Sequence, residues 1–306
     1  MSAAPVKMPI TLIILAYNEE IHIERCLTRI RDWVERVVVV DSFSTDRTVE
    51  IARGLGAEVL RHPFKNHADQ FQWGLETAAP TTPWVMRIDC DEYFEESVWP
   101  ALAALLPTLS PEITGVEVRR KFIFREKWIR HGRYYPVVLL RLWRNGAAEM
   151  EQRWMDEHMT LVRGRSVLLE GGDLVDHNLA GIGAWTAKHN RYATLAMVDA
   201  INREHPLFEE DRRVEAGGGA AARNRFLKNS VYGRAPLYLR ALLLFVYRYV
   251  FRLGFLDGRI GFVFHVLHGF WVFLLIDAKI DEARDFIREH GLEAFKQRLH
   301  ADRVQI

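Results

Sequence analysis

The sequence predicts an α/β protein with a mostly parallel sheet. Over roughly the first hundred residues, apolar runs of strand length alternate with segments of helical periodicity, and acidic residues directly follow two of these runs, at 37–40 and 84–88. Continuous apolar runs are typical of parallel strands covered on both faces, and the alternation is typical of right-handed βαβ units. Ligands of such sheets collect outside the carboxyl ends of the strands. Asp41 and Asp89 therefore mark a candidate site.

The remaining elements follow in chain order. The predicted strands are residues 9–16, 37–40, 57–60 and 84–88, and the predicted helices between them are residues 18–33, 48–55 and 69–78. Asn18 is predicted to cap the first helix, and Gly56 to end the second. Residues 116–124 and 137–143 alternate polar and apolar side chains, which predicts a mixed or antiparallel extension of the sheet. A long helical pattern follows at residues 185–204.

Composition narrows the class of protein. The chain has 306 residues, of which 49% are hydrophobic and 26% charged, as in an ordinary globular protein. Its net charge of +1 gives no overall field that would attract nucleic acid, so no nucleic-acid partner is expected. The only two cysteines, Cys26 and Cys90, predict a reducing compartment without a structural disulfide. The apolar run at residues 10–16 is a strand length without a cleavage site, so we expect a cytoplasmic protein without a signal peptide.

The C-terminal quarter of the chain differs from the rest in composition, because it contains two long apolar segments. Residues 236–253 are strongly apolar but carry three arginines, and residues 260–276 form a second apolar segment. A spanning helix needs about 20 apolar residues, and the second segment reaches only the lower edge of that range. Three alternatives follow: interfacial attachment with snorkelling arginines, which we favour, a buried helical hairpin, or a hairpin through the membrane. The predicted domains are therefore 1–230 and a membrane-associating region, 231–306.

Three motifs lie at the ends of the predicted strands. They read LAYNEE at residues 15–20, VDSFSTDRT at residues 40–48 and IDCDEY at residues 88–93. In order and spacing they resemble the motifs of family 2 inverting glycosyltransferases, which have the GT-A fold, a Rossmann-like mostly parallel sheet with a mixed extension. One departure is that this family usually has glycine where the chain has Phe43 and Arg47.

The resemblance implies a nucleotide-diphosphate sugar donor, with UDP as the favoured nucleotide, and a Mg²⁺ or Mn²⁺ ion. Asp41 would accept a hydrogen bond from the base, although a turn or N-cap role is the alternative. Asp89 and Asp91 would flank the sugar diphosphate, with Asp91 as the main metal ligand, because a cation neutralises the diphosphate leaving group. The base and ribose would be lined by Ala16, Tyr17 and Glu19.

A fourth sequence segment narrows the resemblance to a subgroup of this family. HPFKNHADQFQWGL, at residues 62–75, resembles bacterial glycosyltransferases that extend lipopolysaccharide core or lipid-linked surface oligosaccharides, including β-glucosyltransferases. This implies a lipid-linked saccharide acceptor and a peripheral or monotopic place at the cytoplasmic face of the bacterial inner membrane. Lys65 and Gln70 would touch donor phosphate or ribose, with ordinary solvated loop and helix residues as the alternative.

An inverting transfer needs a carboxylate base that takes the proton of the acceptor hydroxyl. The stretch WMDEH, at residues 154–158, supplies Glu157, which the resemblance favours, and Asp156 as the alternate; both acids could instead cap a strand. His177 is a further candidate metal ligand, with a structural histidine as the alternative. Two other functions stay open: transfer to a polyprenyl phosphate, and a non-catalytic nucleotide-sugar-binding protein, which only the altered turn at Phe43 and Arg47 supports.

Overall fold

The computed structural model describes residues 7–150, 158–205, 207 and 235–303. They divide into two compact units: residues 7–150 and 158–179 form the first, and residues 180–205, 207 and 235–303 form the second. The first unit contains the sheets, and the described part of the second is helical. The predicted domain boundary at residue 230 lies outside the described residues and stays a prediction.

The described part of the first unit holds a ten-stranded mixed sheet and a separate two-stranded sheet. The strands in chain order are β1 (Met8–Ala16), β2 (Val34–Asp41), β3 (Glu58–Arg61), β4 (Trp84–Asp89), β5 (Glu92–Phe94), β6 (Ile113–Phe124), β7 (Lys127–Ile129), β8 (Val137–Arg144), β9 (Ala148–Met150), β10 (Met159–Leu161), β11 (Arg165–Leu168) and β12 (Leu174–His177). The large sheet has the order β3-β2-β1-β4-β8-β6-β12-β5, with β7 and β11 also on β6, and β9 pairs with β10.

Strand direction divides the large sheet into two halves. Strands β3, β2, β1 and β4 are parallel, whereas β8 is antiparallel to both β4 and β6. The helices of this unit are α1 (Glu20–Thr28), α2 (Thr48–Gly54), α3 (His67–Ala78) and α4 (Val98–Leu105), followed by a 3-10 turn (Leu106–Thr108). The predicted fold class, an α/β protein whose mostly parallel sheet has a mixed extension, is confirmed.

Strand β1 anchors this unit because both of its faces are covered. Ile10, Leu12 and Ile14 belong to the hydrophobic cluster on one face, Ile13 belongs to the cluster on the other, and none of the four is exposed to solvent. Each such side chain contributes about 1.5–3 kcal/mol when fully buried. On the neighbouring strand β2, helix α3 approaches so closely that a Cβ at Gly74 would clash with Val40. The strand ends are therefore held in place by packing on both sides.

The first helix differs from its prediction at both ends. It begins at Glu20, with Glu19 at the N-cap, because Asn18 has a left-handed backbone (φ 54°) and its side chain accepts a hydrogen bond from Thr45 N instead. It ends at Thr28 rather than near residue 33, since the chain turns there into β2. The prediction that Asn18 caps the helix was wrong.

Both cysteines are free and buried in the first unit, as predicted. Burial raises the pKa of both the Cys26 and the Cys90 thiol. Because the thiolate is the reactive form, this rise of the pKa lowers the reactivity of both side chains.

The second unit consists of helices packed around a small core of its own. Its helices are α5 (Ile182–Glu204), α6 (Leu239–Val246), α7 (Gly258–Phe264), α8 (Val272–His290) and α9 (Leu292–Arg303), with π-helical turns at Tyr247–Phe251 and His265–Trp271 and a 3-10 turn at Gly254–Asp257. Helices α5 and α8 pack together through residues such as Ile201 and Ile280. The continuous stretch Gly254–His290 is long and apolar enough to cross a membrane by length and composition, and 33% of its most apolar window is buried.

Candidate active site

The three sequence motifs meet at one edge of the large sheet. In the parallel register, Ala16 at the end of β1 lies beside Asp41 of β2, and Leu15 lies beside Asp89 of β4. The segments that follow these strands therefore emerge side by side at the carboxyl edge, where open α/β sheets bind their ligands. This is the place that the sequence predicts for the site.

The loops after β1 and β2 are tied to each other. Asn18 N donates to Ser44 Oγ at 2.9 Å, Thr45 N donates to Asn18 Oδ1 at 2.9 Å, and Glu19 N donates to Thr48 Oγ1 at 2.7 Å. These reciprocal bonds satisfy main-chain groups that would otherwise lack partners at the start of helix α1. The two loops form one rigid rim at the sheet edge.

Asp46 is the acid that holds this rim together. It accepts from Glu20 N at 3.1 Å and from both the main chain and the hydroxyl of Thr48. Burial acts to raise the pKa of Asp46, but these hydrogen bonds outweigh it and the pKa is lowered. The geometry assigns Asp46 to loop structure.

Asp41 lies beneath the rim with no exposed surface. Both of its carboxylate oxygens lie 3.2 Å from Ser44 N, and Arg61 Nε is 3.7 Å from Oδ2. A nucleotide base would reach this carboxylate only after the turn at residues 42–46 shifts. Tyr17 and Phe43, at 59% and 52% exposure, are the aromatic side chains presented near this point of the chain. The base-reading role of Asp41 stays a prediction.

Glu19 is held by a histidine that the sequence analysis missed. His22 Nε2 accepts from Leu179 N at 2.9 Å, so the neutral ring carries its proton on Nδ1 and donates it to Glu19 Oε2. His22 is buried, and the Glu19 side chain keeps 27% of its surface exposed. In the sequence, His22 looks like an ordinary helix residue, because its partner lies 157 positions away.

Asp89 faces two buried arginines. Arg87 Nη2 donates to Asp89 Oδ1 at 3.4 Å, and Arg141 Nη2, on the neighbouring strand β8, is 3.7 Å from Asp89 Oδ2. The Asp89 side chain keeps 40% of its surface exposed, whereas the Arg87 and Arg141 side chains keep 10% and 8%. The carboxylate is therefore presented outward from a positively charged floor.

Glu92, the last acid of the motif, is buried behind Asp89. Glu92 Oε2 accepts from Asp89 N at 3.0 Å, and Glu92 Oε1 accepts a short hydrogen bond from Arg141 Nη2. Burial raises the pKa of Glu92, although the Arg141 guanidinium opposes that rise. For Arg141, burial acts to lower the pKa, but Glu92 and Asp89 outweigh it and the pKa is raised. Arg141 remains charged, and the contact is a buried ion pair.

Asp91 sits in the turn between β4 and β5 and is tied to the end of β12. Its carbonyl oxygen accepts from His177 N at 3.0 Å and from Arg25 Nη2 at 3.3 Å, and its carboxylate accepts from Asn178 Nδ2 at 3.0 Å. The structure brings Asp91 and His177 together through this main-chain bond, and their predicted sharing of a metal stays a prediction. Arg25, from helix α1, had no signal in the sequence that distinguished it from a solvated helix residue.

The His177 ring already has two partners. Arg25 Nη1 is 3.2 Å from Nδ1, and because guanidinium only donates, Nδ1 is the acceptor and Nε2 donates to Glu126 Oε1 at 2.9 Å. Ligation of a metal by this ring would require Arg25 or Glu126 to move. The predicted metal role of His177 stays a prediction.

The chemistry of this acidic turn fits a hard divalent cation that arrives with a diphosphate. The described residues contain no group of three or more His, Cys, Asp or Glu side chains arranged to hold a metal by themselves. Mg²⁺ is usually bound by one or two carboxylates together with substrate phosphates, and Asp89 and Asp91 supply that number.

The remaining predicted residues have different surroundings. Lys65 is 73% exposed in the loop before helix α3, 3.9 Å from Asp69. Gln70 is buried in α3, and its amide donates to the His62 carbonyl at 3.3 Å, so it is not the solvated residue of the alternative interpretation. Glu157 and Asp156 lie outside the described residues.

The chain is similar in sequence to known glycosyltransferases. The family model described as Glycosyl transferase family 2 matches residues 11–169. The chain is 28% identical over 277 residues to the lipopolysaccharide core biosynthesis glycosyltransferase LpsC of Rhizobium meliloti (strain 1021), covering 85% of this chain and 90% of that protein. It is 39% identical over 83 residues to an uncharacterized glycosyltransferase of Rickettsia bellii (strain RML369-C), covering 27% of this chain and 28% of that one.

Among solved structures, glucosyl-3-phosphoglycerate synthase from Mycobacterium tuberculosis, in complex with Mn²⁺, UDP and glucosyl-3-phosphoglycerate, is 27% identical with a TM-score of 0.31. The match covers 37% of this chain and 44% of that one, so the chain spans less than half of the solved protein. At so low a TM-score the likeness does not extend to ligands or activity.

Proposed function

The chain belongs to glycosyltransferase family 2, and from that premise we propose that it moves a sugar from a nucleotide-diphosphate sugar to a lipid-anchored saccharide, with inversion and with a divalent metal ion. The molecule is a glycosyltransferase with a GT-A fold, and it is homologous to a lipopolysaccharide core glycosyltransferase over most of its length. Three parts of this reaction are proposals: the donor nucleotide, for which we favour UDP, the acceptor and the metal.

One observation carries the proposal most directly. Asp89 and Asp91 stand at the carboxyl edge of the sheet, beside the ends of β1 and β2, with Arg87 and Arg141 behind Asp89. The carboxylate oxygens of these two acids are hard ligands, which suit a Mg²⁺ or Mn²⁺ ion that is shared with a diphosphate. When bound, that ion neutralises the charge that develops on the leaving diphosphate.

The rest of the chemistry falls to the residues of this chain. An acceptor hydroxyl oxygen forms a bond to the anomeric carbon of the sugar, while the bond from that carbon to the diphosphate oxygen breaks and its electron pair leaves with the diphosphate. Glu157, or Asp156, would take the hydroxyl proton from the opposite face. The rim formed by Asn18 and Asp46 and their partners, together with Tyr17 and Glu19, would hold the nucleoside.

A saccharide acceptor is favoured over a polyprenyl phosphate. The relative that aligns over 90% of its length is named a lipopolysaccharide core biosynthesis glycosyltransferase. A saccharide that is extended by one sugar accepts it through a hydroxyl. A hydroxyl needs a base and an ionised phosphate does not. Glu157→Gln would therefore nearly abolish transfer to a saccharide and leave transfer to a lipid phosphate almost unchanged, and transfer assays with both acceptors decide between them.

The altered turn, which was the support for a non-catalytic protein, does not break the rim. Phe43 adopts φ 62°, a left-handed conformation in which glycine is favoured, and Arg47 has an ordinary φ of −83°. Asp41 and Asp46 keep their bonds to the turn on either side. The altered turn therefore no longer supports a protein that binds a nucleotide sugar without catalysis.

A membrane surface is the proposed partner of the second unit. On helix α6 and the π-helical turn after it, Leu239, Leu242, Leu243, Tyr247 and Val250 are between 39% and 54% exposed. Their spacing of three or four residues places them on one face of the helix. Soluble proteins turn such a stripe toward a core, so an outward stripe indicates a lipid or protein partner.

The charges around the stripe favour lipid. Arg252 and Arg259 are exposed near its end, where they can meet anionic headgroups. Phe251 and Leu256, at 72% and 55% exposure, extend the apolar surface into the following turn. We therefore propose that the enzyme works at the cytoplasmic face of the bacterial inner membrane, as a peripheral or monotopic protein that acts on lipid-anchored acceptors.

The test of the activity is a panel of nucleotide sugars. Thermal unfolding of the full chain is followed with each sugar nucleotide, with and without Mn²⁺ or Mg²⁺, and the best binder then enters a transfer assay with a lipid-linked oligosaccharide. A metal-dependent rise of the unfolding midpoint with a UDP-sugar, followed by transfer, is the expected result. Absence of both effects with every nucleotide would overturn the proposal.

A further inference from the structure

A buried ion pair lies directly behind the acidic turn. Glu92 is 2% exposed, and its two carboxylate oxygens face different partners: the main-chain N–H of Asp89 and the guanidinium of Arg141. The same guanidinium nitrogen, Nη2, lies 3.7 Å from Asp89 Oδ2. Glu92 therefore reaches the main chain of Asp89 directly, and Arg141 reaches its side chain.

Main-chain pairing holds both strands that carry this pair. Strand β5, which carries Glu92, is held by main-chain pairing with β12, and strand β8, which carries Arg141, is held between β4 and β6. Replacing a buried ion pair with apolar residues of similar volume is often neutral or stabilising, because burying two charges costs more than their attraction returns. A buried pair that contacts both the main chain and the side chain of Asp89 is therefore better explained by a role in positioning Asp89.

We propose that Glu92 and Arg141 are a positioning pair that sets the orientation of the Asp89 carboxylate toward the donor diphosphate. This inference rests on the proposed function, since it assumes that Asp89 meets the diphosphate and its metal. Glu92 fixes the turn by accepting the Asp89 N–H, and Arg141 fixes the side chain by charge. Fixed supporting groups behind a metal-site ligand commonly tune affinity and activity in this way.

The burial of Arg141 separates this role from direct contact with the substrate. Its side chain is 8% exposed, and the nitrogen that approaches Asp89 also donates to Glu92. An arginine that gripped the diphosphate would have to present its guanidinium fork outward. Arg141 therefore acts through Asp89.

The experiment uses the full chain and four variants. In Glu92→Met/Arg141→Met both charges are removed together, so that neither is left buried alone. Arg141→Lys keeps the charge, but the lysine side chain is shorter and does not bring its ammonium to the position of Nη2 between Glu92 and Asp89. Glu92→Gln keeps an acceptor for Asp89 N. Arg144→Met is the matched control, because Arg144 lies on the same strand but pairs with Trp84, at the opposite end of β4.

UDP binding is measured by calorimetry with and without Mn²⁺, beside the unfolding midpoint and kcat. For the double variant we expect an unchanged midpoint, an unchanged affinity for UDP alone, and a loss of about tenfold or more in Mn²⁺-dependent UDP affinity and in kcat. Arg141→Lys should show a smaller loss of the same kind, Glu92→Gln the smallest, and Arg144→Met none.

Two results overturn the inference. One is a folded double variant that binds UDP with Mn²⁺ as tightly as the parent. If the double variant does not fold, the second is a folded Arg141→Lys protein with the parent's Mn²⁺-dependent affinity and kcat. A parent protein that shows no metal-dependent UDP binding would contradict the proposed function instead, so the two failures are distinguishable.

Discussion

The two units of the molecule distribute polar and apolar side chains in opposite ways. The first buries the apolar residues of β1 on both faces and presents acids at the carboxyl edge of its sheet. The second places Arg240 and Asp277 in a buried ion pair and turns the leucines of helix α6 outward. A carboxylate at a sheet edge suits a charged ligand, whereas an outward apolar stripe suits lipid. The contrast supports the proposal that the first unit carries out the chemistry and that the second attaches to a membrane.

Removing one acid from the edge of the first unit tests the chemical role of that unit. Asp91→Asn keeps an oxygen for the hydrogen bond from Asn178 and removes the charge that would bind a cation. We expect transfer to fall by about a thousandfold or more, since a metal supplies several kcal/mol of charge stabilisation in the transition state. Metal-dependent UDP binding should weaken in parallel, with the unfolding midpoint unchanged.

Asp32→Asn is the control for that variant, because Asp32 is an exposed acid, with 65% of its side chain accessible. It should leave transfer intact. Full activity of Asp91→Asn would show that the acidic turn does not bind the metal, and the first unit would then lose the chemical role that the comparison assigns to it.

The second test concerns the outward stripe. Leu243→Glu places a charge on the most exposed of the α6 leucines, where it disturbs no core. Burying a leucine in lipid contributes about 1.5–3 kcal/mol, so we expect at least about tenfold weaker partitioning to vesicles with anionic headgroups. Sedimentation with vesicles measures this, and Gln297→Glu, on an exposed position of helix α9, adds the same charge as a control. Equal binding by both variants would contradict lipid contact through α6.

Local sequence patterns predict only part of the candidate site. The strand ends at Asp41 and Asp89 followed from local patterns, because apolar runs and the acids after them are neighbours in the chain. Arg25 and His22 did not, since their partners lie 152 and 157 positions away. Asn18 misled the helix prediction for the same reason: its preference for an N-cap competes with a bond to Thr45 on another loop.

The third test asks what Asp41 does. If it reads the base, Asp41→Asn should raise the KM for the donor about tenfold or more, because a hydrogen bond to a charged group contributes about 1.5–3 kcal/mol. If it is only a turn residue, the same variant should lower the unfolding midpoint and leave the KM unchanged. Its bonds to Ser44 N and its burial make both readouts necessary. Donor kinetics beside thermal unfolding decide between them.

The smallest expected effect concerns the turn above Asp41. Phe43 holds φ 62°, which costs an L-residue about 1–2 kcal/mol, and glycine would relieve that strain while losing about 0.5–1 kcal/mol through its freer unfolded chain. Because the ring is 52% exposed, little burial is lost. Phe43→Gly should therefore raise the free energy of unfolding by at most about 1.5 kcal/mol, as measured by urea denaturation.

Arg47 provides the matched comparison, since the family resemblance expects glycine there as well. Its φ of −83° carries no strain, so Arg47→Gly adds the freedom of the unfolded chain, removes the side-chain bonds to Glu50 and should be destabilising. Opposite signs for the two variants would show that the turn keeps a glycine-like backbone at Phe43 and not at Arg47. A Phe43→Gly protein less stable than Arg47→Gly would mean that the aromatic ring packs against the rim and contributes to its stability.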